Sequence, residues 1–127
     1  IQGRELTAAV LSADGEIQAL PIIEIAPYSG VYDYTSKYTV GATQYLVPAP
    51  IDTELTLKVK EMAKNAFCVL GCKGVARADI MLSGDQAYIL EINTIPGMTE
   101  TSLVPKAAAA VGMSFEDLCE KILLDVK

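Results

Sequence analysis

Residues 74–93 read G-V-A-R-A-D-I-M-L-S-G-D-Q-A-Y-I-L-E-I-N. Two mostly apolar runs, Gly74–Leu82 and Ala87–Asn93, flank Ser83-Gly84-Asp85-Gln86 and predict an antiparallel hairpin. Alternation puts Arg77 and Asp79 on one face of the first strand, and Glu91 and Asn93 on one face of the second. Loop length decides whether those faces coincide. A three-residue loop, Gly84-Asp85-Gln86, sets Asp79 opposite Glu91 and Arg77 opposite Asn93. A two-residue loop would shift the register by one and send the pairs to opposite faces. We expect the three-residue loop.

Carboxylates facing each other across two strands repel unless a cation sits between them. Asp, Glu and an Asn carbonyl are hard oxygen ligands, the set Mg²⁺ prefers when substrate phosphates complete its shell. Arg77 adds a planar positive fork suited to phosphoryl oxygens. The alternative is a surface ion pair between Arg77 and an acid, with Asn93 as a turn residue; spacing alone leaves both open. Asn93-Thr94-Ile95-Pro96-Gly97-Met98-Thr99 follows as a rigid turn, and Gly97 lets backbone N–H groups approach an anion. Ser102, as a cap, and Leu103 then open a helix whose free N–H groups favour a carboxylate or phosphate.

Further out, Glu5–Leu11 reads as a strand, Ser12-Ala13-Asp14-Gly15 as a turn and Ile17–Ile25 as a second strand, with Pro21 at an edge or a bulge. Pro27–Pro50 lacks both periodicities and holds five of the six tyrosines: Tyr28, Tyr32, Tyr34, Tyr38 and Tyr45. Irregular stretches of about 20 residues are uncommon in compact domains and often functional. A lid over a ligand and a loop anchored by its own aromatics are equally open on composition. Asp52 is the candidate N-cap of a helix whose stripe is Leu55, Val59, Met62, Ala63, Ala66, Phe67 and Leu70, closed by Gly71. The Ala-rich helix after Ser102 ends at Gly112, and Ser114-x-x-Asp117 resembles a capping box for the last helix. The element order is an α+β layout, an antiparallel sheet with packed helices.

The 127 residues are 51% hydrophobic and 20% charged, which suits one domain with a sizeable core and excludes disorder. Ten Lys and Arg against sixteen Asp and Glu leave a net charge of -6, and the pI is near 4.5. That argues against a nucleic-acid partner but is compatible with a nucleotide carried with its metal. No apolar run reaches the roughly 18 residues of a membrane span, so no membrane partner is expected. Cys68, Cys72 and Cys119, with no His, read as reduced thiols in a cytosolic protein rather than a zinc site. Cys68 and Cys72, four apart, are expected to share a helix face as small core residues. The chain begins Ile1-Gln2-Gly3-Arg4 without an initiator Met, which suggests processing or a piece of a longer protein.

The run R-A-D-I-M-L, then Y-I-L-E-I-N-T-I-P-G-M-T-E-T-S-L-V-P, resembles the carboxy-terminal part of the D-alanine–D-alanine ligases of the ATP-grasp superfamily. Upstream, G-R-E-L-T, A-L-P-I-I-E-I, Y-D-Y-T-S-K-Y-T and L-G-C-K-G-V-A-R-A-D continue it over nearly the whole chain. The E-I-N-T-I-P-G-M-T run is highly specific, whereas ATP-grasp enzymes at large share only the spaced acids and the Asn. The resemblance implies that Asp79, Glu91 and Asn93 hold two Mg²⁺ ions (or Mn²⁺) on the ATP phosphates. It makes Arg77 the residue that steadies the transferred phosphoryl group, and Gly97 an oxyanion donor. Ser102 and Leu103 hold the carboxylate of the second D-alanine, and Glu5 contacts the ribose. Lys37 contacts phosphate and Tyr38 closes the site from a mobile loop at about 27–50, excluding water from an acyl phosphate. Residues 1–127 are then an ATP-grasp carboxy-terminal domain of a bacterial cytoplasmic homodimer that supplies D-Ala-D-Ala for peptidoglycan. The amino-terminal and central domains are absent, so the chain alone is expected to be inactive. Ligases joining D-alanine to D-lactate or D-serine, another ATP-grasp carboxylate–amine ligase, and a non-catalytic module are the alternatives.

Overall fold

The computed structural model describes residues 3–13, 15–27, 43–94, 96–99 and 102–125. Its strands are β1 (Arg4–Ala13), β2 (Glu16–Ala19), β3 (Ile23–Pro27), β4 (Thr43–Leu46), β5 (Val75–Ser83) and β6 (Gln86–Asn93). Its helices are α1 (Thr53–Val69), α2 (Leu103–Ala109) and α3 (Phe115–Asp125). The strands form one sheet in the order β4-β3-β1-β5-β6, with β2 also paired to β1, and every pairing is antiparallel. The α+β layout read from the sequence is the one observed.

Alternation along β1 and β5 sorts their side chains onto two faces, each covered by helix. Leu6, Ala8 and Val10 of β1 and Ala76, Ala78, Ile80 and Leu82 of β5 pack against Val59, Ala63 and Phe67 of α1. Ala9, Leu11 and Val75 face the other way, against Val104, Ala107 and Ala108 of α2 and Leu118 of α3. The expected α1 stripe is therefore a real contact face, except that Leu70 lies just past the helix and is 60% exposed.

Helix ends follow local chemistry. Asp52 Oδ1 accepts from Leu55 N at 2.7 Å, and Ser114 Oγ accepts from Asp117 N at 3.1 Å, as the capping signals predict. At the far end of α1, Gly71 takes φ +67, its N–H donates to Cys68 O and the Cys72 N–H donates to Phe67 O. This left-handed closure puts Cys72 beyond the helix, half-buried against the α1-side core, while Cys68 is exposed. The expectation that both cysteines share a helix face in the core is thus corrected. Asp125 of α3 accepts from Ser12 Oγ at 3.1 Å and from Gly74 N at 2.8 Å, tying the last helix to β1 and to the entry of β5.

Two other expectations change. The single strand expected over Ile17–Ile25 is two, β2 and β3, both on β1, with registers offset by one residue around Leu20-Pro21-Ile22. Pro21, which has no N–H to give a ladder, sits at that irregularity. The stretch Pro27–Pro50 contains a strand, β4, paired with β3. Its residues 28–42, with the Lys37 and Tyr38 expected in a lid, lie outside the described residues.

One charged pair is built into the α1 face. Glu24, 8% exposed, accepts from Arg4 Nε at 2.9 Å and from Arg4 Nη2 at 2.7 Å, and Nη2 also donates to Pro50 O. Those hydrogen bonds hold the Glu24 carboxyl below its ordinary pKa against the opposing effect of burial, and they raise that of Arg4.

Candidate functional site

Arg77 pairs with Asn93 and Asp79 with Glu91 across β5 and β6, the juxtaposition expected from the sequence. The route to it differs. The loop has two residues, Gly84 and Asp85, with Ser83 opposite Gln86 and Gly84 at φ +61, as primed hairpin turns require. On that register Glu91 would turn toward α1. A bulge between Asp79 and Ile80 restores the phase, because Ile80 pairs with Ile89 and Leu90 is the extra residue. Leu90 and Glu91 are both exposed, whereas Ile89 and Ile92 pack toward α1. A bulge of this kind re-aims a side chain, and here it returns Glu91 and Asn93 to the face of Arg77 and Asp79.

On this face Arg77 donates from Nε to Asp79 Oδ1 at 3.0 Å and from Nη2 to Asp79 Oδ2 at 3.3 Å, and both side chains are 21% exposed. The ion pair left open by the spacing is therefore present. Glu91 is exposed and has no ion pair among the described residues. Thr7 of β1 lies opposite Asp79 on its other side and is 2% exposed. Sequence reading missed Thr7, although it alternates with Glu5 in E-L-T. Glu5 is exposed one pleat along the same face, opposite Met81.

Among the described residues no group of three or more Asp, Glu, Cys or His side chains gathers to hold a metal. Asp79, Glu91 and the Asn93 amide are hard oxygen donors on one face, too few for an all-protein cage. They fit a small divalent cation whose remaining ligands come from phosphate oxygens and water.

Beyond β6 the chain brings Gly97 against Ser102: a Cβ at Gly97 would stand 3.1 Å from Ser102 Oγ. Ser102 has the extended backbone of an N-cap but makes no capping bond; its Oγ accepts from Thr99 N at 3.1 Å and lies 2.7 Å from Thr99 Oγ1. The expectation of a side-chain cap at Ser102 is corrected, since the hydroxyl folds back on the preceding loop. Leu103 packs half-buried on the α2 and α3 side of the core. At the other edge of the same sheet face, Lys106 Nζ sits 5.2 Å from the ring centre of Tyr45, a cation–π contact joining β4 to α2.

The described surface depressions lie elsewhere, one around Asp52, Leu55, Lys58 and Asp85, another around Ile17, Leu57 and Lys64. Among the described residues, the Arg77–Asn93 face lines none of these depressions and stands as a wall. Such a wall offers charge and oxygen donors but does not by itself enclose a ligand.

The family model D-ala D-ala ligase C-terminus matches residues 1–124. The chain belongs to that family. It is 54% identical over 123 residues to D-alanine–D-alanine ligase of Syntrophotalea carbinolica, covering 97% of this chain and 39% of that protein. Over 124 residues it is 55% identical to the enzyme of the same name from Methylacidiphilum infernorum, covering 97% and 40%. Among solved structures, the D-alanine–D-alanine ligase of Bacillus anthracis complexed with ATP superposes with a TM-score of 0.82 at 33% identity, covering 98% of this chain and 40% of that one. VanG D-Ala:D-Ser ligase of Enterococcus faecalis gives 0.75 at 35% identity, covering 97% and 36%. The chain therefore spans about 40% of the length of the relatives it matches.

Proposed function

We propose that this chain is the carboxy-terminal, catalytic part of an ATP-dependent D-alanine–D-alanine ligase of the cytoplasm, making the dipeptide for peptidoglycan. The observation that carries this is the cross-strand pairing of Asp79 with Glu91 and Arg77 with Asn93 on one open face, leading into the Gly97–Ser102 turn. The relatives and the ATP complex of the Bacillus anthracis enzyme support it.

In this reading the carboxylate of one D-alanine takes the γ-phosphoryl group of ATP, giving an acyl phosphate and ADP. The amine of a second D-alanine attacks the acyl carbon, loses a proton, and inorganic phosphate leaves. Such transfers need positioning and charge neutralisation more than covalent help from the protein. Asp79, Glu91 and Asn93 would hold Mg²⁺ or Mn²⁺, up to two ions. When bound, these ions neutralise phosphate charge. Arg77 steadies the transferring phosphoryl group with its planar fork, and the Gly97 N–H faces the developing oxyanion. Ser102 and Leu103 contact the carboxylate of the second D-alanine. Glu5 contacts the ribose, Lys37 a phosphate, and Tyr38 helps close the site. The open wall is completed by amino-terminal and central domains, in an enzyme that works as a homodimer. This chain contains no His to take the proton of the amine.

The test is phosphate release by the full-length protein with ATP, Mg²⁺ and D-alanine, with D-lactate and D-serine as rival second substrates. Asp79→Asn or Glu91→Gln should lower turnover at least about a hundredfold with the fold intact by circular dichroism. Unchanged turnover would remove these residues from the site. ATP cleavage without dependence on D-alanine would point to another carboxylate–amine ligase.

A further inference from the structure

Asp79 has both of its oxygens engaged by Arg77, at 3.0 Å and 3.3 Å, while Glu91, directly opposite, has no ion pair among the described residues. We propose that Arg77 stands in for a divalent cation at Asp79 in the nucleotide-free protein. Cation binding and release of the Arg77 guanidinium toward a phosphoryl group are then one exchange. This rests on the functional reading above only for the nature of the phosphoryl donor.

Three features assign the moving part to Arg77. Asp79 is anchored, since β5 is an interior strand paired on both sides, to β1 at Thr7 and to β6 at Glu91. Thr7, 2% exposed, walls one flank of the Asp79 side chain. A short carboxylate on a doubly paired strand has little room to swing, whereas Arg77 reaches its partner through a long flexible stem. A cation approaching Asp79 meets a carboxylate whose charge Arg77 already neutralises, and the guanidinium beside it repels the ion, so cation binding favours the departure of Arg77. Arg77 gains freedom to meet a phosphoryl group at the moment the carboxylates gain their cation. Until then its fork keeps the opposed carboxylates from facing each other with full charge, so the strand pair is stable when empty.

The exchange predicts a gain of function in binding. Removing Arg77 leaves two unneutralised carboxylates on one face, so cation affinity rises in the absence of nucleotide. Mn²⁺ alone is titrated into the nucleotide-free full-length protein, and free ion is followed by its paramagnetic resonance signal. Arg77→Gln should bind Mn²⁺ about tenfold more tightly than the unsubstituted protein or better, and the added Asp79→Asn should abolish the gain. Affinity in Arg77→Gln equal to or weaker than in the parent overturns the exchange. Should Arg77→Gln lose its fold by circular dichroism, Arg77→Met, similar in length and uncharged, carries the same expectation and the same overturning outcome. Turnover is measured separately. Tighter Mn²⁺ binding without D-alanine-dependent phosphate release would uphold the exchange and sink the ligase reading. Release without the tightening would do the reverse.

Discussion

Glu24 is buried at 8% exposure on the α1 face, opposite Leu6 of β1, and keeps its charge because Arg4 forks onto it. Its folded pKa lies below the ordinary carboxylate value. The stabilisation is therefore complete above that ordinary value, near 4.3, and is lost as pH falls through the lowered folded value. Arg4 is partly exposed, so the pair is worth less than a fully buried one. Glu24→Gln should cost about 1–2 kcal/mol at pH 7 by urea unfolding, with the gap to the parent closing below pH 4. A gap constant with pH would mean that lost packing rather than charge is being read. Gly97 raises a different expectation, because a Cβ there would press on Ser102 Oγ from 3.1 Å. Gly97 is exposed, so Gly97→Ala should shift unfolding by less than about 1 kcal/mol. In the full-length protein it should raise the KM for D-alanine severalfold. An unchanged KM would separate Ser102 from the substrate.

At the scale of elements, the β5–β6 hairpin is a two-residue turn corrected by a bulge, and the correction can be tested by deletion. Taking out Leu90 leaves Ile89 opposite Ile80 and Glu91 opposite Asp79, so every other side chain keeps its face. Taking out Ile92 instead turns Asn93 toward α1 and removes an apolar group packed on that core. Deleting Leu90 should leave stability within about 1 kcal/mol of the parent, and deleting Ile92 should cost about 3 kcal/mol or more. Equal losses would mean that Leu90 is a ladder residue and not an insertion. The same hairpin shows how far local sequence carries. Alternation in R-A-D and E-I-N was legible because a period of two is local. The bulge was not, because Leu90 satisfies the strand pattern as well as any neighbour and only pairing with β5 exposes it as extra. Pro21 announced its irregularity through its missing N–H, and Asp52, Gly71 and Ser114 announced helix ends by bonding their own neighbours. The Arg4–Glu24 fork and the Asp125 links to Ser12 and Gly74 join distant residues, so no local pattern could show them. Strand β4 was hidden because Thr43–Leu46 earns its ladder from β3 and not from any alternation of its own.

For the whole molecule, the helices divide the work unevenly. α1 covers one sheet face, while α2 and α3 pack on part of the other, around Ala9, Leu11, Ile23 and Val75. The rest of that second face carries Asp79, Glu91 and Glu5, with Tyr88 44% exposed and Leu90 57% exposed beside them. Apolar and acidic groups together suit a surface that other residues cover, and the relatives are about two and a half times as long. Among the described residues, Arg77 is held by Asp79 and Arg4 by Glu24, and none of the surface depressions lies on the wall. Phosphoryl transfer depends on positioned charge in a water-excluded cleft, which one wall cannot supply. Under the proposed function, residues 1–127 alone should therefore fold cooperatively around their two cores yet release no phosphate above background from ATP, Mg²⁺ and D-alanine, whereas the full-length protein should. Measurable turnover by the isolated chain would show that this wall is sufficient and that the further length of the relatives serves another purpose. A chain that fails to fold alone would instead make a cover over the rest of the second face a structural requirement, to be checked by adding the remaining domains in trans and watching the unfolding transition return.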